Sequence, residues 1–444
     1  MSSPSRRAAA CIRALVGLSV FAILFLPRSA RAEKVLLKDK DWEVYTEGRV
    51  GAFASYVLGD GAPVVAGKMI TLPDGSVVPE SLPYAGWTLN TDKANDQSQG
   101  HVHVMRVRSG FIGNVLAFGV RNQILPELKA TGFVQIWSYI ESENRNKGFA
   151  NPADLRQGYA KLEGPTWGSL TAGRTRTLFS RGATDINVMY AHRWGVGFPN
   201  QIESKGPTQG MVGFGVLGSG FAAGFIYGSP VLAGFQLNVG LFDPANIGAT
   251  GFNRTQFARP EGELTYEHAF GTVAKIVLFG NGAYQKIYKP GPCTASPTTG
   301  PCDETVEGFG YGGRFEVGPV HLGVAGHYGK GLSFGYAFEQ NYATNDELTN
   351  LRTFDGYYVQ SQVVLDKFDL FAGWGIARAF LTAYDKTQPQ VSYIKYQMGI
   401  NGGVVYNVTP NLHIDLEYFR AEAKWWLGEK QVLHSFASGM TVSW

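Results

Sequence analysis

The chain has 444 residues, with 39 basic against 36 acidic side chains, 57 glycines, 13% aromatic residues and 17% charged ones. So much glycine and aromatic surface with so few charges argues against a packed-helix membrane protein and suits strands and turns. The slight positive charge resides in the first segment, so it argues for neither nucleic acid nor anionic lipid as a partner.

Arg6, Arg7 and Arg13 precede an apolar run from Ala14 to Leu26, followed by Pro27 and the triplet Ala30-Arg31-Ala32. A basic start, a short apolar core and a small-x-small site predict a secretory signal peptide over residues 1–32, with cleavage after Ala32. The other reading, a retained anchor, needs a longer apolar run than this one to span a bilayer as a helix. The paired Arg6-Arg7 suggests a twin-arginine signal, but its flanks support that poorly. Removal takes five arginines and no acid, leaving 34 basic against 36 acidic residues over 33–444.

Beyond residue 32 no run of eighteen apolar residues occurs; alternation replaces it. The stretch Trp42–Leu58 reads as a first strand, with Glu43, Glu47 and Arg49 on its polar parity and Val44, Gly48, Val50, Ala52 and Ala54 on the other. Those small residues suit contact with either lipid or a neighbouring subunit. His101-x-His103 has one-face ligand spacing on a strand, but no third metal ligand is identifiable. "GFGVLG" at 213–218 fits a dinucleotide fingerprint; that mechanism needs a helix after the loop, and "SGFAAGFIYG" reads as strand. Leu264 and Tyr266 alternate with Glu261, Glu263, Thr265 and Glu267. Cys293 and Cys302 bracket a Pro/Thr/Ser-rich loop, which predicts an export-compatible disulfide, since a metal site would need further ligands.

Val320, Leu322, Val324 and Tyr328 oppose His321 and His327; Tyr357, Val359, Val363 and Leu365 oppose Gln360 and Gln362. Over 391–408, Ile394, Tyr396, Met398, Ile400, Val404 and Tyr406 share one parity, against Lys395, Gln397, Asn401 and Asn407. Tyr396 and Tyr406 are ten residues apart, so at about 3.3 Å per residue and about 45° of tilt they stand about 23 Å apart along a membrane normal. That matches the apolar band of an outer-membrane barrel between its aromatic girdles. Leu412, Ile414, Leu416 and Tyr418 oppose His413, Asp415 and Glu417, and the phase reads as broken at Tyr418-Phe419, a bulge or an upper rim. The pair Trp425-Trp426 reads as interfacial belt rather than sugar platform. Finally Phe436, Met440, Val442 and Trp444 share one parity against Gln431, Ser435, Ala437, Thr441 and Ser443.

Tight connections fall at 124–128, 164–168, 229–234, 270–273, 317–320, 365–368 and 407–411, with longer polar stretches between them, among them 59–100, 142–153, 175–208, 244–258, 289–304 and 335–351. Seven tight turns and eight long loops join sixteen strands. The fold expected is all-β, a transmembrane antiparallel β-barrel over residues 33–444, closed by pairing the last strand with the first so that no edge remains.

Two stretches resemble the Gram-negative general porin family: "LRQGYAKLEGPTWGSLTAGRT" at 155–175, a strand–turn–strand ending in Gly-Arg, and the final strand ending on an aromatic. The latter resembles the signal read by the barrel-assembly machinery, carried here by Phe436, Met440, Val442 and Trp444, although Ser438 interrupts the apolar parity. The resemblance implies a homotrimer in outer-membrane lipid whose third long loop, here about 175–208, folds inward to narrow a water-filled pore for small hydrophilic solutes. It also implies acids on that loop facing arginines on the wall. Candidates are Arg174, which matches the motif arginine, with Arg49, Arg106 and Arg108 on the wall, and Arg176, Arg181, Asp185 and Glu203 on the loop. The inward direction of Arg174 rests on the resemblance, because Arg174 shares its parity with Leu170 and Ala172. With Arg193 and Lys205 the loop holds more cations than acids, which implies a weak preference for anions, with half of these charges sitting in the outer vestibule or pairing with each other as the opposing reading. No cofactor and no catalysis are expected. A substrate-selective porin, an outer-membrane hydrolase and a secreted β-rich binding protein are the competing readings; no G-x-S-x-G elbow supports the hydrolase.

Overall fold

Alternating side chains and backbone pairing roll the chain into one closed sheet. The computed structural model describes residues 33–61, 63–71, 77–81, 83–84, 87–88, 101–110, 113–138, 140, 153–187, 211–247, 257–289, 292–338 and 344–444, with the side chains of 64–68, 70, 78–81, 83–84, 87–88, 101–104, 106 and 108 outside that set. The expected signal peptide, Glu203, Arg193 and Lys205 lie outside the described residues.

The first strands are β1 (Lys34–Asp39) and β2 (Trp42–Asp60). Two small hairpins apart from the main sheet follow, β3 (Val64–Thr71) with β4 (Val77–Ser81) and β5 (Pro83–Tyr84) with β6 (Trp87–Thr88). β7 (His101–Arg108) and β8 (Asn114–Leu125) both run antiparallel to β2, against Phe53–Asp60 and Trp42–Arg49 respectively, and share one wall position. The wall continues with β9 (Leu128–Ser138), β10 (Asp154–Gly164), β11 (Gly168–Arg176), β12 (Phe221–Gly228), β13 (Phe235–Phe242), β14 (Arg259–Phe270) and β15 (Ala274–Tyr288). It is completed by β16 (Asp303–Val317), β17 (Val320–Lys330), β18 (Thr353–Leu365), β19 (Phe368–Phe380), β20 (Ile394–Thr409), β21 (Leu412–Trp425) and β22 (Lys430–Ser443). Each strand ladders with its predecessor, and β22 returns to β2 from Arg49↔Ser443 to Gly59↔Leu433. Trp444 exchanges both backbone hydrogen bonds with Gly48, at 3.0 Å each, and β1 carries the ladder on along Trp42–Thr46. The last of the sixteen positions is therefore shared by β22 and β1.

All seven expected tight turns join neighbouring strands at one rim. At the opposite rim the eighth connection is not a long loop: residues 426–429 alone link β21 to β22. The alternation survives into three dimensions: Phe436, Met440 and Val442 are exposed on the outer face, whereas Ser435, Ala437 and Thr441 are buried inside. Two local readings are corrected. A bulge between Ile394 and Tyr396 turns Ile394 inward, so the outer apolar parity of β20 begins at Tyr396. Tyr418-Phe419 breaks no phase: β21 pairs with β22 in unbroken register, and Phe419 belongs to the inner face. Trp425 is likewise fully buried inside, not part of an outer belt, while Trp426 lies under the Lys395 ammonium at 4.6 Å.

The interior is filled unevenly. On the side of β15 to β21, apolar residues of the long connections pack against the wall: Leu332, Phe334 and Phe338 meet Ile287, Val306, Phe354 and Trp425. Arg352, in the same connection, is buried, donates to both carboxylate oxygens of Asp385 at 2.8 Å and lies over the Tyr393 ring. The Cys293–Cys302 disulfide closes the connection between β15 and β16.

Because Ser438 is exposed on the outer face, five residues along the strand from Ser443 and so near mid-wall, Ser438→Arg is expected to cost about 2–4 kcal/mol. Denaturant unfolding in lipid vesicles measures this; Val442→Arg, on the same outer face at the tight-turn rim, should cost less than about 1 kcal/mol.

Candidate functional site: the lumen and its charged lining

The inner parity supplies a polar lining. Glu261, Glu263, Asn281, Gln285, Gln360, Gln397, Asn401, His413, Asp415 and Glu417 come from β14, β15, β18, β20 and β21, and all are buried. In a closed sheet this face meets only the lumen, so these groups need water, one another or a solute.

Into that lumen comes the connection that follows β11. Its described flanks are Thr177–Asn187, containing a short helix at Arg181–Ile186, and Met211–Gly220. The Phe179 amide donates to Glu261 Oε2 at 2.7 Å, Tyr358 Oη donates to the Ala183 carbonyl at 2.7 Å, and Arg314 Nη1 donates to the Asp185 carbonyl at 3.3 Å. Phe214 packs edge-on against Phe419 with ring centroids 5.1 Å apart. The flanks thus touch inward residues of β14, β16, β18 and β21. Gly375 permits this closeness, since a Cβ there would run into the Phe214 carbonyl. The "GFGVLG" stretch is part of this segment and precedes strand β12, not a helix.

Of the expected constriction charges, Arg176 and Asp185 come together at 2.7 Å, and Arg176 also donates to Ser219 Oγ at 3.2 Å. Arg181 does not join them. Its guanidinium holds Glu263 through Nε, at 2.9 Å, and Nη2. Arg259 pairs with Glu261 at 2.8 Å. The described loop arginines Arg176 and Arg181 are therefore matched by acids, Asp185 on the loop itself and Glu263 on the wall, while Glu261 pairs with Arg259 of its own strand and accepts from the Phe179 amide; Glu263 on the polar parity of a strand, set against a cationic loop, was the signal for it.

Arg174 goes the other way. Its ladder partner Ala223 is exposed on the outer face, like Phe225 two residues on, and Leu170 on its own parity is exposed too. Arg174 thus stands on the outward parity, which corrects the inward direction taken from the family motif. Arg49 is buried on the inner parity of β2. Arg106 ladders with Ser55 and Arg108 with Phe53, alternating with exposed Met105 and Val107. Register continues those rows across β22 to β21: Ser55–Ala437–Glu417 and Phe53–Gly439–Asp415. By backbone register Arg106 and Arg108 thus fall in the same rows as Glu417 and Asp415, two acids not foreseen as lining charges.

A family model described as Gram-negative porin matches residues 19–424. No curated protein matches the chain. Among solved structures, the outer membrane channel DcaP of Acinetobacter baumannii superposes with a TM-score of 0.63 at 12% identity, over 93% of this chain and 100% of that one. The anion-selective porin from Comamonas acidovorans gives 0.55 at 12% identity, over 91% and 100%. Outer-membrane expressed OmpT of Vibrio cholerae gives 0.52 at 14% identity, over 93% and 100%. At these identities the likeness is one of fold: a closed sixteen-stranded antiparallel barrel.

Glu263 is 2% exposed, so Arg181→Ala leaves a buried carboxylate without its cation and should weaken the loop's attachment by about 3–5 kcal/mol. Single-channel recording is expected to show a larger, noisier conductance for Arg181→Ala, and the double variant Arg181→Ala/Glu263→Ala should return toward the parent value.

Proposed function

Because the chain belongs to the Gram-negative porin family and is an outer-membrane channel for passive diffusion of small hydrophilic solutes, we propose that its pore is narrowed by the connection between β11 and β12 and selects weakly by charge. The observation that supports this most directly is the two-sided wall: apolar outside, polar inside, with the flanks of that connection bonded to the inner face of the far strands. Rings of fixed charge bias the ions that enter a wet constriction. Here Arg176 is matched by Asp185, Arg181 by Glu263 and Arg259 by Glu261, which supports near-neutral discrimination over the anion preference suggested by the loop's cation excess. Residues 1–32 serve as the cleaved export signal in this reading, and Phe436, Met440, Val442 and Trp444 as the signal for the barrel-assembly machinery.

We infer further that three copies associate through the low side of the wall. β11, β12 and β13 have 9, 8 and 8 residues, whereas β15 and β16 have 15 each. Eight residues at about 3.3 Å and about 45° reach roughly 19 Å, short of the ~25 Å apolar band. An outward Arg174 about 14 Å above the tight-turn rim would also be costly against hydrocarbon. Both features suit a face covered by a neighbouring subunit, with Val50, Ala52, Leu116 and Phe118 beside it on the same outer wall.

Reconstituted protein is expected to form discrete channels in planar bilayers with a reversal potential near zero in a KCl gradient; closed membranes at micromolar protein would contradict the pore. On detergent gels the unboiled sample should run as a trimer, and Phe118→Arg should shift it to monomer while boiled mobility stays unchanged.

A further inference from the structure

The polar row on β2, β21 and β22 holds a group that the loop's ion pairs leave alone. Glu417 is 3% exposed, and neither carboxylate oxygen accepts a hydrogen bond. The hydroxyls of Ser55, Ser435 and Thr441 are buried to the same degree and also lack a partner. Glu417, Ser55 and Ser435 are neighbours by register. Ala437 ladders with Glu417 on one side and Ser55 on the other, and Ser435 lies two residues along the same inner face. Ala437 and Gly439 keep the floor between them low, while the rings of Phe53 and Phe371 lie over Gly439 and Gly403. The row sits directly on the tight-turn side of the apolar layer formed by Val57, Phe419, Leu433 and the loop's Phe214. The row therefore lies next to that layer along the lumen wall.

We propose that Glu417, with Ser55 and Ser435, forms a binding site on the lumen wall for the ammonium head of small primary amines. A buried carboxylate with both oxygens unpaired is satisfied by N–H donors bearing positive charge. An ammonium has three donors and no acceptor, so it uses the two carboxylate oxygens and a serine hydroxyl at once. The aromatic faces of Phe53 and Phe371 favour an organic cation over a hydrated metal, which takes six or more oxygens and keeps its water. Asp415, two residues along the same face, adds negative charge to the same side of the wall. The loop's matched pairs set the width of the pore, while this site gives amines a resting place within it.

The proposal rests on the channel reading, and one experiment separates them. Full-length reconstituted protein is recorded in KCl with butylammonium chloride added, and propionamide as a neutral solute of similar size. If the parent protein carries no KCl current, the channel reading fails and takes this one with it. If it conducts, butylammonium is expected to block saturably, propionamide not to block, and Glu417→Gln to weaken the block at least tenfold with KCl conductance retained. Ser55→Ala/Ser435→Ala, which keeps the carboxylate, should weaken it two- to fivefold and serves alone if Glu417→Gln does not assemble. Equal block in the parent and in whichever of these variants assembles overturns the proposal. Magnesium block as strong as that of butylammonium and lost with Glu417 also overturns it, in favour of a divalent-ion site.

Discussion

Within hydrocarbon no water is present to satisfy a backbone amide or carbonyl, so each must be paired by the protein itself. A sheet meets that demand only when it has no edge, and the ladder between β2 and β22 removes the two edges that sixteen strands would otherwise leave. Everything else follows from closure. One face of every strand is committed to lipid or a neighbour and the other to an enclosed lumen, which the described flanks of the connection after β11 enter.

The outer face and the rhythm of turns were legible because both are local. Period-two alternation needs no partner to be read, and "ILPEL", "GPTWG" and "NVTPN" each mark a reversal with the residues that make one. Phe436, Met440 and Val442 were assigned to one face from spacing alone, and the structure exposes all three. The inner face was harder to read, because a lumen accepts apolar side chains wherever a loop covers them. Phe419 and Trp425 look outward by chemistry and point inward by register, each meeting a packed interior. Ile394 was misplaced by a bulge, which inserts one residue without changing composition.

The charged lining divides in the same way. That arginines follow β11 was visible in sequence; that Arg181 meets Glu263 was not, because the glutamate lies some 80 residues further on. An arginine count cannot show that Arg176 meets Asp185 and Arg181 meets Glu263. Arg174 shows the limit of transferring a motif: the Gly-Arg pattern is present, but its parity belongs to the outer face. Asp415 and Glu417 were seen as the polar side of a strand and could not be recognised as lying on the rows of Ser55 and Phe53 until the seam between first and last strands was drawn.

That seam has a consequence for how the molecule assembles. Its ladder joins Arg49–Gly59 to Leu433–Ser443, and Gly48 to Trp444, close to the greatest sequence separation this chain offers. Hairpins around the seven tight turns form from neighbours and need nothing distant, whereas sealing is the pairing with the largest entropic barrier to encounter. Zipping is thus early and cheap, sealing late and slow. During that interval two long strands carry open edges, a state that invites pairing with the wrong chain.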